Sequence, residues 1–591
     1  MKLLLLLFTV TTMTLSQQPV VRYTLGMSKP STHLFEVELS YERLPADPGD
    51  LDLRMPVWRP GRYAVLDLAG GVISFSATDD RGNVLPWTKV EKSLWRVARG
   101  TATGVRIRYT VFANEFNLRT RGLNDEHAFV DGAAVFLYAE KYRALGVTLE
   151  VKPYGNWHVT TGLDGGGTTF RAPEYDTFID CPLEIGNQKD VPFDVDGVPH
   201  VLSIFGEGNW DADVMVRDMT KIIRTTISVW GDVPYRRYVF LLHCTPSSGG
   251  GTEHLNSTIM GTRPFIFKNP DSYRGFLGLV SHEYFHTWNV KQLRPRGITP
   301  YDYTKENYVT ELWVAEGTTS YYDELLLVRA GLKSPDKHLE TIQNMIMNDR
   351  QRPGNAVQSL SESSFDSWIK YNRSTQQAFN TESDFYDKGA SVSMLLDLEI
   401  RQRTKNAHSL DEVLRALYRK FPLGAGYEEA DLVSMIRSVS GEDLEAFFAD
   451  YVRGTTALPW ESALAAAGLD VIGRDSIAKP WIGLTTSDAD GRTRVTRVVA
   501  GSPAYDAGLD LADEVVAING FRAKSADLTD RVGELKPGEK LQLTIFRNDR
   551  LRECALTVGS QPVPAYTVAR SKAPTEIQKT IYQNWLRSAW Q

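Results

Sequence analysis

The run Ser281-His282-Glu283-Tyr284-Phe285-His286 carries the most specific chemistry in this chain. On a helix, His282 and His286 stand one turn apart on one face, so both imidazoles can reach a single cation. Glu283 then sits beside them as a base for a water molecule, which is the HExxH arrangement of zinc peptidases. Two histidines and a solvated glutamate on a partly exposed helix are the plainer alternative. A catalytic zinc also needs a third protein ligand and an open position. Glu306, Glu311 and Glu316 compete for that role. Glu306 falls in a loop rich in Tyr, Lys and Asn and reads as a solvated charge. Glu311 reads as a helix-start residue facing the dipole. Glu316 follows the apolar turn Leu312-Trp-Val-Ala315, where a buried carboxylate needs a counter-charge that an ion supplies. Glu316 is therefore the favoured ligand, and one Zn2+ per chain is the expected cofactor. Asp323, seven residues on and on the same helical face, could hydrogen-bond a ligating histidine, although surface exposure is the simpler reading.

A second pattern is Gly249-Gly250-Gly251-Thr252-Glu253-His254-Leu255-Asn256. Glycines such as Gly250 and Gly251 let an edge strand approach a substrate backbone, and a carboxylate at its end, Glu253, can pair with an ammonium and so measure where a peptide begins. A flexible turn followed by a surface charge is the competing interpretation.

The elements that must position these groups form a multidomain α+β chain. With 591 residues, 42% hydrophobic and 24% charged, composition excludes disorder, collagen and polytopic membrane classes and leaves room for three or four domains. Lys+Arg 66 against Asp+Glu 73 is too slight and too interspersed a bias for a nucleic-acid partner. Three distant cysteines, Cys181, Cys244 and Cys554, argue against a disulfide framework and a cysteine-ligated metal. Residues 1–16 read as a signal peptide, with Lys2, an apolar core and small residues before Gln17, too short for a comfortable membrane span. Removal of that signal leaves no transmembrane segment and predicts a periplasmic or secreted protein. Period-two runs such as His33-Leu-Phe-Glu-Val-Glu-Leu predict an N-terminal antiparallel β domain over 17–200. Helical patterns over 273–290, 309–330, 391–403 and 410–420 predict a mostly helical catalytic domain over 201–471. Ser409 with Glu412 predicts a capping box at the start of the last of these helices. Short strands over 472–560 and a terminal helix within 561–591 are expected beyond it.

His282 to Lys291 together with Trp313-Val-Ala-Glu316-Gly317 resemble the glycyl aminopeptidase family, PDZ-bearing gluzincins related to the large alanyl and leucyl zinc aminopeptidases. The resemblance implies a thermolysin-like catalytic domain, the ligands His282, His286 and Glu316, and Glu283 as general base. The gap between His286 and Glu316 is longer than in the larger aminopeptidases, which keeps Glu311 open as a ligand. Gly249 to Asn256 resembles the element whose glutamate grips the substrate amine, which implies that role for Glu253. Phe385-Tyr386-Asp387-Lys388-Gly389-Ala390 resembles the stretch that supplies an oxyanion-stabilising tyrosine, here Tyr386. Met55 to Tyr63 matches the family's β domain, with Trp58 packing inward. Trp481-Ile-Gly-Leu484, Gly501 to Leu509 and Asp513 to Gly520 resemble a PDZ domain. Its carboxylate loop would be Gly483 and Leu484, with an edge strand free to take an extended peptide or a C-terminus.

A secreted zinc aminopeptidase acting on peptides, with Gly or Ala preferred at the N-terminus on the family name alone, is the first reading. A non-enzymatic PDZ-type envelope scaffold with a structural metal site is the second. A zinc endopeptidase is the third.

Overall fold

The computed structural model describes residues 18–373, 375, 377–474, 478–562 and 565–590. The expected signal peptide, 1–16, lies outside these residues. Two compact units divide the chain: 1–57 with 66–189, and 58–65 with 190–591.

The first unit is built of strands because its apolar residues alternate. In Leu34–Glu42, Phe35, Val37, Leu39 and Tyr41 are buried while Glu36 and Glu38 face out or sit at the margin. A seven-stranded sheet runs in the order Asp164–Gly166, Thr169–Ala172, Val147–Lys152, Val20–Gly26, Leu34–Glu42, Val105–Phe112, Val72–Asp79. Five- and three-stranded sheets complete the unit, and Tyr23, Phe136 and Phe178 pack ring against ring in its core.

The second unit begins earlier than the expected boundary at 200. Strands Lys189–Val195 and Val198–Phe205 belong to the sheet that continues through Tyr238–Cys244 and Ser257–Thr262 to the edge strand Gly250–Glu253. Val198–Phe205, Tyr238–Cys244 and Ser257–Thr262 run parallel, the last two wholly buried, and the edge strand is antiparallel. Helix Pro270–Phe285 packs against this edge. Asn269 starts it by accepting from the amides of Asp271 and Ser272, with Pro270 at the first helical position. A π-helical turn, Trp313–Thr318, runs into helix Thr319–Arg329, and helices Pro335–Gln351, Asp387–Arg403 and Leu410–Lys420 pack around it. Ser409 and Glu412 form the expected capping box. Among the described residues no helix is long and apolar enough to cross a membrane.

The C-terminal PDZ domain is looped out from this helical body. Leu469–Arg474 pairs with Ala565–Arg570, and Ala478–Trp481 pairs with Gly559–Pro562. Between them lies a six-stranded sheet over a core that includes Ile482, Val495, Val515, Leu541, Leu543 and Ile545. The chain then returns, and helix Glu576–Leu586 docks Trp585 into the helical body. The Trp585 indole donates to the Tyr321 hydroxyl at 2.8 Å, and its carbonyl accepts from Arg329 at 2.9 Å. Arg329 is paired with Asp411 at 2.8 Å, and Asp411 also accepts from Tyr322 at 2.7 Å.

This buried network ties three helices together, so its loss is costly. Burial opposes ionisation of Asp411, but Arg329 and Arg401 outweigh it and hold the carboxyl below its usual value. A depressed folded-state pKa contributes stability above the unfolded value and loses it as pH falls through the folded one. Asp411→Ala leaves Arg329 buried without its carboxylate and should cost about 3–5 kcal/mol at neutral pH, with a smaller deficit in acid, read by denaturant titration. Trp585→Ala should cost about 3–5 kcal/mol. Excision of 482–558 should leave the helical body folded, whereas truncation after 562 should lower its melting temperature; equal melting temperatures would refute the docking role of the terminal helix.

Candidate active site

Helix Pro270–Phe285 ends where His282 and His286 turn toward the same point. His286 Nδ1 donates to the Asn289 carbonyl at 2.7 Å, and His282 Nδ1 lies 3.0 Å from the Asp323 carboxylate. Each ring therefore presents its Nε2 lone pair to the other, with 3.0 Å between them. Glu316 Oε2 stands 3.2 Å from His286 Nε2 and 3.7 Å from His282 Nε2. Two imidazole lone pairs and a carboxylate converging in a buried pocket need positive charge at their centre, and this donor set fits zinc. Burial opposes ionisation of Glu316, but His286 and His282 hold its carboxyl far below the usual range.

The π turn gives Glu316 its aim. Asn289 donates to the carbonyls of Val314 and Ala315 and to Thr319, which pins the turn to the chain leaving the histidine helix. Asp323 follows on the next helix, where the sequence favoured surface exposure. It is instead only partly exposed and bonded to His282, because helix Thr319–Arg329 lies against the histidine helix. Glu311 is elsewhere: its carboxylate accepts from Thr310 and from the Glu429 amide. Glu306 is partly buried in the preceding loop and takes no part in the cluster.

Glu283 is buried, and its Oε2 has no hydrogen-bond partner among the described residues. Burial pushes its carboxyl up to about 7, with His282 and His286 opposing and Glu253 and Glu316 adding. The edge strand comes close to it at Gly251, where a Cβ would fall 2.3 Å from the Glu283 carboxylate. Only glycine permits that approach. Gly250 precedes it at φ +75°. At the strand's end Glu253 is buried with Oε1 unpartnered among the described residues, and acceptor atoms of Glu253, Glu283 and His286 lie within 4.8 Å of one another.

Tyr386 stands at the start of helix Asp387–Arg403, its ring 6.3 Å from that of His282 and 5.2 Å from that of Tyr371. It is brought there by two glycines packed backbone to backbone: a Cβ on Gly317 would fall 2.5 Å from Gly389 Cα. Burial, then Glu316, raise the Tyr386 phenol well above its ordinary value, so it stays a hydrogen-bond donor. Tyr371 is a neighbour the sequence did not mark, and Asn289 and Tyr63 lie in segments that carried the resemblance without being placed at the site; each is an ordinary aromatic or amide until the chain folds.

In the PDZ domain, Gly483, at φ +73°, and Leu484 open a cavity of about 710 Å³. Strand Leu484–Ala489 forms one wall at the edge of its sheet, and helix Ser525–Glu534 forms the other.

The clustered ligands make a direct prediction for metal analysis. Glu316→Ala should lower zinc occupancy strongly and Glu311→Ala should leave it intact; the reverse would move the third ligand.

Residues 22–187 match the Peptidase M61 N-terminal domain, 275–392 the M61 glycyl aminopeptidase and 480–558 a PDZ domain. A crystal structure of an aminopeptidase N family protein from Idiomarina loihiensis is similar over 96% of this chain and 100% of that one, with a TM-score of 0.89 and 27% identity. An M1 zinc metallopeptidase from Deinococcus radiodurans is more loosely similar, with a TM-score of 0.47 and 14% identity over 75% of this chain and 96% of that one. A probable periplasmic serine endoprotease, DegP-like, from Ectopseudomonas mendocina (strain ymp) is 30% identical over 120 residues, 18% of this chain and 25% of that protein. The chain thus spans about a quarter of the length of that curated relative. The peptidase match encloses His282, Glu283, His286, Glu316 and Tyr386, and with the N-terminal match ahead of it and the PDZ match behind it the chain is similar in three successive segments to the M61 glycyl aminopeptidases and to a PDZ domain.

Proposed function

We propose that the protein is a zinc aminopeptidase that removes small N-terminal residues, such as Gly or Ala, from peptides in the periplasm or outside the cell. The observation that carries this reading is Glu253: a buried carboxylate with one oxygen unpartnered among the described residues, within 4.8 Å of acceptor atoms of Glu283 and His286. A substrate ammonium satisfies it and places the first peptide bond beside the base. His282, His286 and Glu316 would hold one zinc ion, which when bound polarises the scissile carbonyl and acidifies a water. Glu283 takes the proton from the attacking water and passes it to the leaving amine. The Tyr386 phenol donates to the carbonyl oxygen as negative charge develops there. The outer edge of Gly250–Glu253 aligns the substrate backbone, and the PDZ groove takes an extended peptide or a C-terminus at Gly483 and Leu484.

A scaffold with a structural metal gives no role to the buried, unpartnered oxygens of Glu283 and Glu253. An endopeptidase gives none to Glu253. Turnover of Gly- and Ala-p-nitroanilide, with zinc measured in the same sample, separates these readings from an aminopeptidase.

Glu283→Gln should keep its zinc while turnover falls by several orders of magnitude. His282→Ala or His286→Ala should lose the ion. Glu253→Ala should cut kcat/KM for Ala-p-nitroanilide by roughly 30- to 1,000-fold, equivalent to about 2–4 kcal/mol, and narrow the gap to the N-acetylated substrate. Equal discrimination by wild type and variant would show that Glu253 does not read the amino terminus.

A further inference from the structure

The segment 58–65 leaves the strands on either side of it and packs within the unit that holds the histidine–glutamate cluster. It is anchored at both ends. Trp58 is fully buried, donates from its indole to the Asp302 carbonyl at 2.7 Å, and meets Tyr301 and Trp368 edge-on at 5.6 and 5.2 Å. At the other end the Tyr63 carbonyl accepts from Asn372 at 2.9 Å, and the Tyr63 ring lies 6.1 Å from Trp368.

Between these anchors Gly61 adopts φ +83°, and a Cβ there would fall 2.6 and 2.7 Å from the two carboxylate oxygens of Glu253. The Gly61 main chain therefore covers one side of the carboxylate. An ammonium bound to Glu253 must come from another side, which confines the first Cα of the substrate. Tyr63, two residues on, is buried, and its phenol is raised first by burial and then by the fields of Glu316 and Glu253. The Tyr63 carbonyl is bonded to Asn372, next to Tyr371, whose ring lies 5.2 Å from that of Tyr386, so Tyr63 sits between Glu253, reached through Gly61, and Tyr386, and it borders the space that the first side chain must enter.

Resting on that reading, we propose that the segment 58–65 is the specificity element of the enzyme. Gly61 positions Glu253, and Tyr63 closes the pocket for the first side chain so that it admits a hydrogen or a methyl group and rejects a branched chain. A position held by a long-range contact through a glycine is unforgiving, because any other residue at 61 meets both a strained φ and the Glu253 oxygens.

The test compares wild type, Tyr63→Ala, Tyr63→Phe and Gly61→Ala on Gly-, Ala- and Leu-p-nitroanilide and on N-acetyl-Ala-p-nitroanilide, with zinc measured in each. Tyr63→Ala should raise the Leu/Ala ratio of kcat/KM by about tenfold or more through a gain on Leu, while Tyr63→Phe keeps the wild-type ratio and both keep zinc. Gly61→Ala should lower kcat/KM for Ala-p-nitroanilide by about tenfold or more and narrow the gap to the acetylated substrate, again with zinc retained. A general loss of folding would instead lower zinc and all substrates together, and that result in both Tyr63→Ala and Gly61→Ala would overturn the proposal. An unchanged Leu/Ala ratio in Tyr63→Ala overturns it as well. A wild type that favours Leu over Ala overturns the specificity element and leaves the aminopeptidase standing. A wild type that cleaves acetylated and free substrates equally overturns both.

Discussion

Charge balance in one buried region is the constraint on which the rest of this structure depends. Glu253, Glu283 and Glu316 are buried around His286 and the partly exposed His282, with Asp323 behind the latter. Three carboxylates drawn this close out of water would protonate or separate unless cations compensate them. The histidines account for part of the balance, and a zinc ion and a substrate ammonium would account for the rest. The local structure serves that arrangement: Nδ1 partners fix both rings, and Asn289 fixes the turn that carries Glu316.

Distances of this kind are set by backbone, because flexible side chains would not hold like charges together. Gly317 lies on Gly389, which draws the Tyr386 helix against the Glu316 turn. Gly251 lies on the Glu283 carboxylate, which draws the edge strand against the histidine helix. A β-carbon at Gly251 or Gly317 would push the site open. The glycines near Glu253, Glu316 and Tyr386 in the sequence are thus part of the geometry that brings those residues together, and the π turn adds the local rotation that aims Glu316 inward.

Legibility in the sequence followed the range of the contact. His282, Glu283 and His286 were readable because one helical turn relates them. Glu316 stood out because an apolar turn precedes it. Asp323 did not, since a carboxylate on a helix looks solvated until the packing of two helices is known. Gly61 and Tyr63 were invisible for a stronger reason: their partners lie about two hundred residues or more away in the chain, and no local pattern distinguishes a turn that stays in a β unit from one that enters the site. Of the fold, alternation identified the β-rich domain and the PDZ pattern identified the C-terminal module. The division near 189 was missed because Lys189–Val195 is a strand like those before it, assigned to the second unit only by its pairing.

The PDZ domain also depends on a contact that sequence reading passes over. Asn380 donates to the Val498 carbonyl and accepts from the Ala500 amide, and Arg497 lies over Phe379 at 4.2 Å. Val498 is paired with Leu484, and the Val499 amide donates to the Gly483 carbonyl, so the clamped strand is the one that supports the turn at Gly483 and Leu484. On the other side, the chain runs from Asn380 through Ser383, bonded to Gln358, to Asp384, which accepts from the Tyr386 amide. A single short segment therefore fixes both the base of the cavity at Gly483 and Leu484 and the approach of Tyr386 to the histidines. With the terminal helix anchored through Trp585 on the far side of the loop-out, the module is held at its insertion strands and at Asn380, an attachment stiffer than a linker would provide.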